Sequence, residues 1–129
     1  MNKKTFLTET YKLIRIALLL NEKARNHGIP SLEDEVEDLD DENFKIGLRM
    51  IIDGNDPKVF AEIISNRMSF EKNKYRRLYM TMVRRVVLGI HEGLRGRIFS
   101  YVLFSIAGLS FKEQRKIESD LWEVFKNLS

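Results

Sequence analysis

The chain has 129 residues, 43% hydrophobic and 32% charged, which is one domain at most with a modest core, and a composition unlike that of a disordered chain. It has no cysteine, which excludes disulfides, thiolate metal sites and thiol catalysis and points to a reducing compartment. The net charge of +3 is uneven, with 8 Lys+Arg against 12 Asp+Glu in residues 1–57 and 14 against 7 in residues 58–129. Such asymmetry suits a polar partner, self-association, or only a solvated surface.

The basic N-terminus runs into Glu9, Lys12 and Arg15, so no apolar signal-peptide core is expected. From Thr5 to about Asn26, apolar residues such as Phe6, Leu7, Tyr11, Ile14, Ala17 and Leu18 recur at steps of three and four, predicting an amphipathic helix. Gly28 stands at the helix C-cap and Pro30 forbids continuation. Ser31 is predicted to cap a short acidic helix with Asp34 and Glu35 in its first turn and Leu32, Val36 and Leu39 on its apolar edge. A second cap at Asp40 or Asp41 opens a helix through Phe44, Leu48 and Ile51, with Gly47 inside it where another backbone is expected to pack.

Asp53-Gly54 ends that helix. Asp56-Pro57 restarts the chain, aspartate as N-cap and proline at the first helical position. Helical spacing then runs through Phe60 and Ile64, weakens from Ser69 to Lys74, and resumes from Tyr75 to Ile90, predicting one long helix or two broken near Ser69. Gly89, Gly93 and Gly96 mark a turn region. The longest uncharged run, Ile98 to Phe111, has 14 residues against about 20 for a membrane span, so Leu94–Ala107 is predicted as the most buried helix. Ser110 and Glu113 form a capping box for a last helix with Ile117, Leu121, Trp122 and Phe125 inward. The fold class is all-α: a compact helical bundle of about six helices with short connections, one domain over residues 1–129.

The segment Ala24-Arg25-Asn26-His27-Gly28-Ile29-Pro30-Ser31-Leu32-Glu33, followed by the acidic stretch, the apolar helix and Asp53-Gly54-Asn55-Asp56-Pro57, resembles the cytoplasmic region of the A subunit of the bacterial flagellar stator, the MotA family. That family carries A-R-x-x-G-[ILM]-x-[AS]-L-E, an acidic helix, and an apolar helix closed by D-G-x-D-P, in this order and spacing. The resemblance covers roughly Thr10 to Arg67, leaving residues 68–129 as basic and apolar helices that complete the core. It implies that Arg25 and Glu33 occupy the two positions that engage charged side chains on the C-terminal domain of the rotor switch protein FliG, with Glu35 and Glu37 as supporting acidic surface. The plain alternative is that Arg25 and Glu33 pair across the Gly-Ile-Pro turn, as surface charges commonly do. The family's four membrane helices, its P-A-F-G segment and its G-T-V-x-G-L sequel have no counterpart here, and Arg84, Arg85, His91, Arg95 and Arg97 oppose membrane insertion. Ion conduction is therefore not implied.

The acidic run from Glu33 to Glu42 lacks the alternate ligands and central glycine of a calcium loop, leaving a solvated face, a contact with a basic partner, or, least favoured, a metal site. Residues 67–97 hold nine Lys+Arg against two Glu, with Arg76, Arg77, Arg84 and Arg85 as a possible interaction face. A basic stripe of this kind is also seen in nucleic-acid binders, but Tyr75, Tyr79, Met80 and Met82 fall on the apolar side and are expected in the core. His27 and His91 have no metal-ligand spacing, and no nucleophile elbow or phosphate loop is present. The expectation is a non-enzymatic cytoplasmic protein without cofactor, at the cytoplasmic face of the flagellar motor, contacting the rotor switch or another motor component. A self-assembling helical adaptor and a nucleic-acid binder stand as alternatives. No membrane span is expected, though association with a membrane complex is compatible with the sequence.

Overall fold

In the computed structural model, which describes residues 1–129, Asn2 opens the longest helix, α1 (Lys3–His27), its Oδ1 accepting from the Thr5 amide at 2.8 Å. Gly28, at φ 87, ends α1 and donates its amide to the Ala24 carbonyl, the left-handed turn that only glycine adopts without strain. A 3-10 segment follows (Ile29–Asp38), then α2 (Glu42–Ile52), α3 (Pro57–Met68), α4 (Lys74–Glu92), α5 (Gly96–Ala107), α6 (Phe111–Asp120) and α7 (Trp122–Phe125). The fold is all-helical, with seven α-helices and one 3-10 segment where about six helices were expected.

The acidic stretch is not the α-helix predicted from a Ser31 cap. Ser31 turns its hydroxyl back to donate to the Gly28 carbonyl at 2.6 Å, closing the Gly-Ile-Pro turn instead of opening a helix. At about 2 Å of rise per residue a 3-10 segment is longer than an α-helix of equal length. That reach lays Leu32, Val36 and Leu39 between α1 and α2, each at most 5% exposed. Asp41 then caps α2, accepting from the Phe44 amide at 2.8 Å, and Asp56 caps α3 with Pro57 in its first turn.

The weak pattern after Ser69 is a true break. The connection between α3 and α4 is a hydrogen-bonded turn, and Asn73 restarts the chain by accepting from the amides of Tyr75 and Arg76. Gly89 lies inside α4 and not in the turn; Phe99 of α5 packs so closely that a Cβ there would meet its ring at 2.6 Å. Gly47 likewise faces side chains, Phe60 and Val87, where backbone was expected.

One core of 27 buried apolar residues joins α1 through α5 with Leu121 and Phe125. Helix α4 packs against α1, α2, α3 and α5, and Met82, Val83, Val86 and Val87 on its inner face are fully buried. Helix α5 is only half inside: Phe99, Leu103 and Phe104 are buried, but Ile98 and Tyr101 are about half exposed, so it is not the uniformly buried helix that its composition predicts. The capping box at Ser110 and Glu113 is formed. The final helix is split at Leu121, which turns Trp122 outward while Phe125 stacks on Phe104. No helix is long and apolar enough to cross a membrane.

Candidate functional site

The carboxyl ends of α1 and α4 meet at one end of the molecule. Asn21, fully buried in α1, donates from Nδ2 to the Leu94 carbonyl at 2.7 Å and ties α1 to the α4–α5 connection. One turn further, Arg25 donates from Nη1 to the carbonyl of Gly93, the left-handed cap of α4, at 2.7 Å. A guanidinium there satisfies an end carbonyl and opposes the negative end of the helix dipole. Arg25 itself stays exposed, and no carboxylate pairs with it.

The pairing of Arg25 with Glu33 is therefore not made. Glu33 is bonded by Arg49 of α2, whose second nitrogen also reaches Glu37 at 3.4 Å. The hydrogen bond and the charge of Glu33 push the Arg49 guanidinium above its usual range. Glu35 is held by Lys23 of α1 at 2.8 Å. Each acidic side chain predicted for a partner contact thus has an intramolecular cation beside it, but Glu33 and Glu37 share one guanidinium. Asp34 and Asp38 stand exposed alongside, so the segment remains net negative. The resulting face is bipolar: an uncompensated Arg25 beside an acidic ridge held in place by Lys23 and Arg49.

The four arginines of α4 do not form one stripe. Arg77 donates to the Glu71 carbonyl at 2.6 Å, holding α4 to the α3–α4 turn, and Arg84 to the Ser65 hydroxyl at 2.8 Å, clamping α4 to the end of α3. Arg85 forks onto Glu92 at 3.0 and 3.2 Å. Arg76 is exposed, with Glu71 at 3.5 Å. Met80 and Met82 are buried, and Tyr75 and Tyr79 pack against the core. Burial, followed by the nearby charges of Asp41, Glu9 and Asp40, pushes the Tyr79 phenol well above its ordinary value. No group of three His, Cys, Asp or Glu side chains is placed to hold a metal ion.

With this geometry in view, the chain is similar to two spirochaete proteins, both called Motility protein A. That of Borreliella burgdorferi is 44% identical over 52 residues, 40% of this chain and 20% of the relative. That of Treponema phagedenis is 26% identical over 91 residues, 70% of this chain and 35% of the relative. The chain thus spans about a third or less of the length of these relatives, and no family model matches it. The likeness is consistent with the MotA resemblance read from the sequence.

Two residues that build the face escape the sequence pattern. Arg49 reads as a polar position on an apolar helix, and nothing in its spacing shows that it holds Glu33 and Glu37. Asn21 sits among leucines, and its one long-range bond is set by tertiary packing.

Proposed function

We propose that the chain is a non-enzymatic flagellar-motor protein that works at the cytoplasmic face of the motor. It binds the C-terminal domain of the rotor switch protein through Arg25 and the acidic ridge of Glu33, Glu35 and Glu37. The likeness to Motility protein A supports membership of the motor. The observation that carries the contact is that Arg25 has only a neutral carbonyl as its partner. Its charge is therefore fixed in direction and free for a carboxylate on another molecule. In this reading residues 1–67 form the stator-like part and residues 68–129 complete a single core around it.

The test is titration of the purified protein with the switch protein's C-terminal domain at low and high salt, beside Arg25→Glu. Exposed charge contacts are screened over about 8–10 Å at physiological ionic strength, so binding should weaken as salt rises and fall at least tenfold in the variant. The variant should lose less than about 1 kcal/mol of stability, the size of one exposed helix-end interaction, which a thermal melt checks. Salt-insensitive binding, equal binding by Arg25→Glu, or no binding at low salt contradicts the proposal.

A further inference from the structure

We infer that the opposite end of the molecule is a docking surface for an anionic lipid bilayer, with Phe70 as the inserting side chain. Phe70 is 86% exposed, the most exposed large apolar residue of the chain. It is not on a loose strand. Its amide donates to Arg67, the next amide donates to Met68, and Ser69 donates its hydroxyl to Asn66. Arg77 also grips the Glu71 carbonyl. A turn bonded on both sides fixes the backbone from which the exposed ring projects.

The charges around it are mostly positive, with Glu71 next in the chain as the nearest acid. Arg67, Lys72 and Lys74 flank the ring in sequence, and all three are exposed. Asn73 donates to the Met1 carbonyl at 2.9 Å, and Phe6 meets Tyr75 at 5.6 Å, which brings the exposed Lys3 and Lys4 to the same pole. None of these five cations makes an ion pair within the chain; Lys74 lies over the Tyr75 ring. The amino ends of α1 and α4 both open here, adding their positive dipole ends. Among the acids, Glu71 meets Arg76 at 3.5 Å, Glu9, Asp40 and Asp41 line a hollow with Met1, Thr5, Arg76 and Tyr79, and Glu113 feels the charge of Lys3. The cations outnumber these acids at the Phe70 turn itself.

Cations at a surface attract an anionic leaflet, each strengthening binding about fivefold, and the attraction fades within a Debye length. A phenyl ring adds apolar burial at the interface. A nucleic acid would use the same cations, but a single strand is held by a row of stacking partners and a duplex keeps its bases stacked on one another, whereas one lone ring offers an insertion point into a leaflet. The pole lies across the length of α1 from Arg25; 25 residues span about 37 Å. The surface is thus independent of the proposed rotor contact.

The experiment is co-sedimentation of the full chain with vesicles of phosphatidylcholine alone or mixed with phosphatidylglycerol, at low and high salt, with a random duplex DNA as competitor. The expected result is binding to the mixed vesicles only, lost at high salt. Phe70→Ser should weaken it about tenfold, and Lys72→Gln with Lys74→Gln about twenty-fivefold. These side chains are outside the core, and circular dichroism of each variant checks that the fold is kept. No binding to anionic vesicles at low salt, equal binding to neutral vesicles, an unchanged Phe70→Ser variant, or binding to duplex without binding to vesicles would each overturn the inference.

Discussion

Arg49, Arg25 and Tyr79 show how single side chains set the character of this surface. Arg49 draws Glu33 and Glu37 together and so spaces the acidic ridge, while Arg25 is aimed by one carbonyl. Tyr79 is packed among carboxylates and keeps its proton in the folded chain to a higher pH than in the unfolded one, where a phenol ionises near about 10. A raised native value means that the contribution to stability is complete below about pH 10 and is lost as pH rises from there toward the native value. Tyr79→Phe should therefore flatten the alkaline limb of a stability–pH curve measured by urea unfolding, leaving neutral pH nearly unaffected. An alkaline limb identical in the variant would show that another group sets it. The sequence places Tyr79 on the inner side of α4 through its spacing, but the carboxylates that face it come from α1 and the 39–41 turn, and no local pattern announces them.

At the scale of elements, the close approach of α2, α3 and α4 depends on Gly47. A Cβ there would stand 2.7 Å from both the Phe60 ring and a Val87 methyl, and Phe60 and Val87 are fully buried with no room to move. Gly47→Ala gains up to about 1 kcal/mol of helix propensity but overpacks a core at a cost of about 1–3 kcal/mol. The net expectation is a loss of stability with a lower Tm; a rise in Tm would mean that the three helices separate without penalty. Helix limits with their own side-chain caps, such as Asp56, Asp41 and the Ser110–Glu113 box, are legible because the cap chemistry is local. The 3-10 winding of residues 29–38 is not, since it follows from stretching Leu32, Val36 and Leu39 across two other helices. Trp122 misleads for a similar reason: its spacing continues the inner face of α6, but the bend at Leu121 rotates it into water.

At the scale of the whole molecule, the sequence shows that the chain is acidic in its first half and basic in its second, and the structure distributes those charges to specific work. Lys23 and Arg49 cross from the acidic half's own helices to hold the ridge, while Arg84 fastens α4 to α3 and Arg77 fastens α4 to the turn between them. What remains free is Arg25 with the ridge at one end and the Phe70 pole at the other. The all-α class and the MotA likeness were legible because both rest on patterns contained in short stretches. The layout of the two ends was not, because it depends on α1 and α4 lying side by side over their length. The most direct test of the rotor contact is an NMR titration of isotope-labelled protein with the C-terminal domain of the rotor switch protein. The account predicts amide shifts concentrated at residues 22–38 and near Gly93, reversed by added salt. Shifts centred on α5 and α6, or on the Phe70 turn with the Arg25 end silent, would contradict it.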